Sequence, residues 1–204
     1  MRTLIIIDVQ NDFFPGGALP VPGSESIVPV INDLQGKFDL VIATQDWHPA
    51  NHMSFASNHE GKKPFDEISL GGMKQVLWPD HCIQGTRGAE FHFGILTNNI
   101  EAIIRKGMDS AIDSYSGFFD NGHKKNTGLA GYLRAKGSTV IHFCGLAADI
   151  CVQYTIKDAL NEGFSARLIS DATWPLNKVE FKTIETELHK MGVVLVNSKS
   201  LSRK

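Results

Sequence analysis

The sequence predicts an α/β protein, a three-layer αβα sandwich built on a mainly parallel six-stranded sheet. Short apolar runs rich in β-branched residues alternate with longer segments of helical periodicity, which is typical of βαβ units. Apolar runs of this kind fit strands that are buried on both faces of a parallel sheet. The predicted strands are Thr3–Val9, Leu40–Thr44, Ala102–Lys106, Thr139–Cys144, Ala166–Ile169 and Val193–Val196.

Four helices are expected around this sheet. The clearest pattern follows the fourth strand, where Val152, Ile156 and Ala159 recur at helical spacing and Gly163 ends the segment. The first helix contains Pro29, which is tolerated only in the first turn or at the true start of the helix. The predicted helices are Ser24–Lys37, Leu129–Lys136, Ile150–Glu162 and Lys178–Met191.

Length and composition favour one domain, residues 1–204. A chain of 204 residues with 42% hydrophobic content can bury one full-sized core. The 20 basic and 22 acidic side chains are well mixed, which argues against a nucleic-acid partner. The N-terminal apolar run, Leu4–Ile7, is too short for a signal sequence or a membrane span, so we expect a cytoplasmic protein without a membrane partner. Three cysteines, an odd number, suit a reducing compartment.

Residues 45–99 interrupt the alternation of strands and helices. A stretch this long without sustained periodicity is either functional or disordered. Its aromatic side chains provide too much apolar mass for disorder, so we expect an ordered excursion that builds a site. These aromatic residues are Trp47, Phe55, Phe65, Trp78, Phe91 and Phe93.

Three chemically active side chains are expected where strands end, the edge at which ligands bind in open α/β sheets. Asp8 lies within the first predicted strand near its end, Lys106 ends the third, and Cys151 lies in the first turn of the helix after the fourth. The amides and macrodipole of a helix N-terminus favour a thiolate, which makes Cys151 a candidate nucleophile. Asp8 could take its proton, and Lys106 could stabilise both charges. The alternatives are a turn cap for Asp8, a solvated strand flank for Lys106 and a packed helix residue for Cys151.

A metal site is expected at the end of the second strand. Asp46 and His48 are two residues apart on an extended segment and therefore point the same way, and His52 and His81 follow in the excursion. Imidazole and carboxylate ligands suit zinc, iron or manganese and leave open positions. Cys82 is a weaker candidate, because it adjoins His81 and neighbours in extended chain point in opposite directions. The alternative is that Asp46 caps a turn and the histidines are ordinary loop residues.

Six segments carry a resemblance to a known family: Ile7–Phe13, Thr44–Phe55, Trp78–Gln84, Lys106–Gly107, Asp113–Phe118 and Gly145–Cys151. They are similar to segments of the nicotinamidase/pyrazinamidase family, within the isochorismatase-like cysteine hydrolases, and the similarity runs from Met1 to about Val196. The resemblance implies the isochorismatase-like fold. It also implies hydrolysis of nicotinamide, and of pyrazinamide, to the acid and ammonia through a cysteine thioester, a step of NAD salvage.

The resemblance also implies roles for individual residues. Asp8, Lys106 and Cys151 would form a catalytic triad, and Asp46, His48 and His81 would bind one divalent ion, zinc before iron or manganese. His52 or Ser54 would be an additional metal ligand. The amides of Ala147 and Cys151 would stabilise the oxyanion, with a cis peptide bond before Ala147. The residues around the substrate ring would be Phe13, Leu19, Trp78 and Tyr115. The sequence leaves the oligomeric state open, a homo-oligomer included. The sequence departs from relatives at Ala148 and Ile150, beside the nucleophile.

Two rival interpretations predict different residues. A sister hydrolase acting on isochorismate or a carbamoyl compound would share the fold but lack the ligand set Asp46, His48 and His81. A non-catalytic metal-binding or redox-sensing protein would keep these ligands and a reactive cysteine, without requiring Asp8 and Lys106 to converge on it.

Overall fold

The computed structural model describes residues 1–202 and contains one six-stranded sheet in the order β5-β2-β1-β6-β7-β8. Every neighbouring pair in this sheet is parallel, so the predicted fold class is confirmed. The strands, including a separate hairpin, are β1 (Arg2–Ile7), β2 (Leu40–Asp46), β3 (Glu67–Leu70), β4 (Met73–Val76), β5 (Ala102–Lys106), β6 (Val140–Gly145), β7 (Ser165–Thr173) and β8 (Val194–Val196).

Among the described residues, four α-helices cover the sheet: α1 (Ile27–Gln35), α2 (Leu129–Ala135), α3 (Gln153–Asn161) and α4 (Lys178–Lys190). Alternate residues of β1 face different layers. Leu4 and Ile6 share a buried cluster with α1, whereas Ile5 and Ile7 share another with α2, α3 and α4. Within residues 1–202, no helix has the length and apolar character that crossing a bilayer requires.

The first helix begins later than predicted. Ser24–Ser26 forms a 3₁₀ turn, and α1 starts only at Ile27. Pro29 therefore lies in the first turn of α1, where its missing N–H leaves no intrahelical hydrogen bond unmade. The expectation that Pro29 lies in the first turn of the helix is confirmed.

The excursion after β2 is ordered, and it contains a hairpin that the sequence analysis missed. β3 and β4 pair antiparallel across Gly71 and Gly72, whose φ angles are 58° and 84°. Positive φ at both central residues is what a two-residue type I′ turn requires, and glycine adopts it without strain. The rest of the excursion is tied together by isolated bridges, such as Phe55 with Trp78.

The sheet order places a crevice between β1 and β6. From β1 the chain moves to β2 on one side, and β6 later adds on the other side, so the strand order reverses at this point. Gly145 ends β6 at φ 109°, and a Cβ there would lie 2.1 Å from Ile7 O. Only glycine lets β6 pass this close to the end of β1, which brings the segments after both strands to one site.

Candidate active site and metal centre

Asp8, Lys106 and Cys151 meet at the carboxyl ends of β1, β5 and β6. Lys106 Nζ lies 2.9 Å from Asp8 Oδ2 and 3.5 Å from Cys151 Sγ. Asp8 adopts φ 45°, and the Thr44 hydroxyl donates to its Oδ1 at 2.6 Å. All three side chains are buried. The structure thus brings together the three residues that the sequence proposed as a triad, and it adds Thr44 as a partner that the sequence analysis did not identify.

Lys106 is the buried cation of the site. Its Nζ also donates to Asp46 Oδ1 at 2.7 Å and to Ser114 O at 2.9 Å. Burial by itself lowers the pKa of Lys106, but Asp46 and Asp8 outweigh burial and hold that pKa well above its usual value. Arg105 points the other way, with its guanidinium 3.8 Å from the Trp47 ring centroid, as strand alternation predicts.

The thiol and its neighbouring carboxyl both have raised pKa values. Burial raises the pKa of Cys151, Lys106 opposes the rise, and Asp8 and Asp46 add to it, so the net pKa lies well above the usual value. Burial likewise raises the pKa of Asp8 and outweighs Lys106. Both directions oppose the thiolate that a helix N-terminus by itself would favour, and activation of the Cys151 thiol stays a prediction. Asp8 lies close enough to the thiol to be a candidate acceptor for its proton.

The sequence predicted that an α-helix begins at Ile150, but Cys151 lies in a turn that is wider than a turn of α-helix. Ala148–Val152 forms a π-helical turn, and α3 begins only at Gln153. The Val152 amide donates to Ala147 O at 3.1 Å, and the peptide bond before Ala147 is cis, as the resemblance implied.

The side chain of Asp149 ties this turn to the segment after β7. Its two carboxylate oxygens accept from the amides of Leu176 at 2.8 Å and Asn177 at 2.6 Å. Both residues that depart from the family pattern also belong to the turn. Ile150 lines the cavity beside the thiol, whereas the Ala148 amide donates to Trp174 O at 2.9 Å.

Asp46, His48 and His81 form a buried cluster that fits a divalent ion. One ligand atom from each lies within 4.8 Å of the others. His48 Nδ1 is 2.9 Å from Gly107 O, and His81 Nδ1 is 2.8 Å from Pro79 O. These carbonyls accept from Nδ1 and leave each Nε2 free to bind metal, which is how ligating histidines are usually oriented. The Nε2 atoms face Asp46 at 3.5 and 3.8 Å.

The electrostatics of Asp46 also suit a ligand. Burial would raise the pKa of this carboxyl, but Lys106 and His48 outweigh burial and hold the pKa well below its usual range. Asp46 is therefore an anion at neutral pH. Gln10, which the sequence analysis overlooked, fixes its backbone, since Asp46 N donates to Gln10 Oε1 at 2.8 Å and Gln10 Nε2 donates back to Asp46 O at 2.7 Å.

His52 and Ser54 lie beside this cluster. His52 Nδ1 is 2.7 Å from Ser54 Oγ, and Nε2 is buried without a hydrogen bond. His52 forms a second group of potential ligands with His48 and Asp113. Burial, aided by His48, lowers the pKa of His52 to about 4, so this imidazole is neutral at pH 7. Cys82 belongs to none of the potential metal clusters found among residues 1–202.

One cavity reaches both the thiol and the candidate metal cluster. All four residues that the resemblance placed around the substrate ring line it: Phe13, Leu19, Trp78 and Tyr115. Asp46, His81, Ala147 and Cys151 line it as well. Val21, Asp113 and Leu176 complete the wall without having been predicted. Val21 and Leu176 are apolar loop residues without a sequence signal, whereas Asp113 stood in a matching segment without an assigned role.

A family model describing the isochorismatase domain matches residues 2–200. The chain belongs to the isochorismatase family. This member of the isochorismatase family is 50% identical over 169 residues to the nicotinamidase of Acinetobacter baylyi, covering 83% of this chain and 79% of the relative. It is 44% identical over 180 residues to the nicotinamidase of Escherichia coli, covering 86% and 84%. The resemblance predicted from the six segments is thereby confirmed.

Solved structures of the isochorismatase family show the same architecture. An Acinetobacter baumanii nicotinamidase/pyrazinamidase superposes with a TM-score of 0.95 at 44% identity, covering 98% of each chain. PnC1 from L. infantum in complex with nicotinate has a TM-score of 0.88 at 40% identity, covering 100% of this chain and 96% of that one. The pyrazinamidase of Pyrococcus horikoshii in complex with zinc has a TM-score of 0.80 at 36% identity, covering 96% and 98%.

Proposed function

We propose that this chain is a nicotinamidase that hydrolyses nicotinamide to nicotinate and ammonia, also accepts pyrazinamide, and acts in NAD salvage as a single domain. One observation carries the proposal: a buried thiol with its base and cation shares a single cavity with an imidazole–carboxylate cluster. The named activities of the relatives in Acinetobacter baylyi and Escherichia coli support the choice of substrate.

The proposed reaction begins with transfer of the Cys151 proton to Asp8 while Sγ attacks the carboxamide carbon. The amides of Ala147 and Cys151 stabilise the oxyanion that forms. Asp8 then gives its proton to the departing ammonia, leaving a thioester on Cys151. Water attacks this thioester after losing a proton to Asp8, and nicotinate leaves as the thiol is restored. Lys106 stays charged throughout and balances the carboxylates around it.

We further propose that Asp46, His48 and His81 hold one divalent ion, with zinc first because its ligand preferences match and the Pyrococcus horikoshii relative contains zinc. Iron and manganese fit the same donor atoms. His52 or Ser54 would support this ion directly or through water. When bound, the ion would supply an open coordination position for the ring nitrogen of the substrate. The chain's own contribution is to hold the carboxamide near Cys151 within the walls of Phe13, Leu19, Trp78 and Tyr115.

Ammonia release from nicotinamide, pyrazinamide and benzamide tests the proposed function. We expect nicotinamide and pyrazinamide to be hydrolysed at least about a hundredfold faster than benzamide, which has the same shape but no ring nitrogen. A chelator should remove this preference. Equal rates on benzamide and nicotinamide with metal bound would contradict the proposed selection by the ring nitrogen. Absence of ammonia release from all three would contradict the assigned activity.

Replacement of His48 by alanine tests the metal centre separately. The His48→Ala protein should lose most of its metal after dialysis and show a higher KM for nicotinamide, because one of three ligands is gone. Metal content per chain is measured by elemental analysis. His189→Ala, on the exposed face of α4, is the matched control and should keep its metal. Full metal content in the His48→Ala protein would show that this histidine is not a ligand.

A further inference from the structure

Tyr115 separates the active-site cavity from a second cavity. The second cavity is lined by Met73, Lys74, Tyr115, Ser116, Asp120, Asn121, His123, Tyr154 and Asp158. Tyr115 is the one residue that lines both cavities within the described part of the chain. Its ring contacts Trp78 of the active-site cavity and Tyr154 of the second cavity, with centroids 6.2 and 5.3 Å apart, which places the side chain between the two as a partition.

The hydroxyl oxygen of Tyr115 accepts from Trp78 Nε1 at 3.3 Å. Gln75 Nε2 lies 3.2 Å from the same oxygen, and because its two hydrogens also serve two closer acceptors, the contact with Tyr115 is a shared hydrogen bond. Burial, with the charge of Asp113 adding to it, raises the pKa of Tyr115, so the phenol remains neutral. The Tyr115 amide donates to Asn121 Oδ1 at 2.9 Å. Tyr115 is thus fixed at its backbone and at the tip of its side chain.

Gln75 is itself fixed, although it does not line the active-site cavity. It lies on β4 and is 4% exposed. Its Nε2 donates to Asp113 Oδ2 at 2.9 Å and to Val76 O at 2.7 Å. The second oxygen of Asp113 accepts from the Ser114 amide at 2.8 Å. One buried amide therefore connects the hairpin to the 113–115 segment, which also supplies the Ser114 carbonyl to Lys106.

We propose that Gln75 is a specificity-determining positioning residue, which holds the Tyr115 partition through its hydroxyl and so limits the size of the aromatic amide that reaches Cys151. This inference rests on the proposed amide hydrolysis. The chemical class admitted is a single six-membered ring. Bulkier amides do not fit, because the Tyr115 side chain blocks the way into the second cavity.

Three substitutions test the partition with nicotinamide and a panel of larger amides, namely quinoline-3-carboxamide and 5- and 6-substituted nicotinamides. Tyr115→Ala joins the two cavities and should raise kcat/KM for at least one larger amide, relative to nicotinamide, by about tenfold or more. Tyr115→Phe and Gln75→Leu should shift the same ratio in the same direction by smaller factors. Gln35→Leu is the matched control, because Gln35 is also buried and donates to a backbone carbonyl, Leu96 O, without contacting either cavity. It should leave the ratio unchanged.

A double-mutant cycle separates positioning from general loss of stability. If Gln75 acts through the Tyr115 hydroxyl, Gln75→Leu should have little further effect on the ratio once Tyr115→Phe is present. Independent, multiplying effects, or an unchanged ratio in the Tyr115→Ala protein, would overturn the proposal.

The proposed function is checked separately, by ammonia release from nicotinamide in the unmodified protein. Calorimetric binding of the same panel in the Cys151→Ala background tests the partition without turnover. If the larger amides bind no better when Tyr115→Ala is added there, the partition is refuted even where nicotinamide is hydrolysed.

Discussion

Replacement of Cys151 by alanine is expected to abolish amide hydrolysis, with a loss of roughly 10⁴-fold or more in kcat. In the proposed reaction the sulfur bonds to the carboxamide carbon, while Asp8 takes its proton and Lys106, 2.9 Å from Asp8 and 3.5 Å from the sulfur, balances the charge. The fold should survive, because Cys151 lies on the cavity wall, where loss of one sulfur leaves the surrounding strands intact. Steady-state ammonia release measures the effect. Mass spectrometry of acid-quenched wild-type protein should find the acyl adduct on the peptide that contains Cys151.

The other two cysteines supply matched controls. Cys82 and Cys144 are completely buried, and Cys144 Sγ contacts Ile5 O at 3.7 Å in the sheet. Cys82→Ala and Cys144→Ala should lower thermal stability slightly and keep most of the turnover. Near-normal turnover in the Cys151→Ala protein, or an acyl adduct on Cys82, would refute the assignment of the nucleophile.

Replacement of Lys106 by methionine is expected to damage both activity and stability. Methionine keeps the length of the side chain and removes the charge, which leaves the buried Asp8 carboxylate without the ammonium that it contacts at 2.9 Å. Loss of one partner of a buried ionic cluster costs about 3–5 kcal/mol. Turnover should fall at least about a hundredfold, because the charge that accompanies proton transfer is no longer balanced. Denaturant unfolding and ammonia release measure the two effects.

The stability loss should depend on pH in a defined direction. In wild-type protein Lys106 has a raised pKa, so its stabilising contribution is complete at neutral pH and is lost only as the pH rises through that raised pKa. Without Lys106, burial and the charge of Asp46 raise the folded-state pKa of Asp8 further above its unfolded value. The variant should therefore be most destabilised at neutral pH and partly recover as the pH falls and Asp8 takes up a proton.

An exposed ion pair provides the control for this experiment. Lys125 pairs with Asp109 at the surface, with 70% of the lysine side chain exposed. Lys125→Met should change stability by less than about 1 kcal/mol, as is usual for solvated pairs. A Lys106→Met protein as stable as the Lys125→Met protein would show that the charges around Asp8 and Asp46 are not coupled in this way.

The six-stranded sheet could be predicted from the sequence because its strands are continuous apolar runs with clear boundaries. It missed β3 and β4 because each has only four residues and half-polar character, although Gly71 and Gly72 carried a turn signal. It also missed the π-helical turn before α3, since local propensity does not distinguish a widened turn from an ordinary helix start.

Parts of the site were predictable for a related reason. Asp8, Asp46 and Lys106 stand at strand ends, so the rule for parallel sheets brings them to one edge. The contacts of Gln75 with Asp113 and Tyr115 were not predictable, because they join residues 38 and 40 positions apart through a hairpin that was not foreseen. The raised pKa of Cys151 arises mainly from burial, which only the assembled cavity supplies.

The position of Lys106 at the end of β5 also bears on how the protein loses activity. In the sheet formed by residues 1–202, β5 is an edge strand whose single neighbouring strand is β2, and Lys106 pairs in register with Asp46 at the last step of that ladder. Strand ends at sheet edges open more readily than central strands, through local fluctuations that leave the rest of the fold intact. Each such opening withdraws the ammonium from both carboxylates at once. Mild heating or dilute denaturant should therefore inactivate the enzyme reversibly. Under the same conditions the β5 amide hydrogens should exchange with solvent, while those of the central strands β1 and β6 remain protected from exchange.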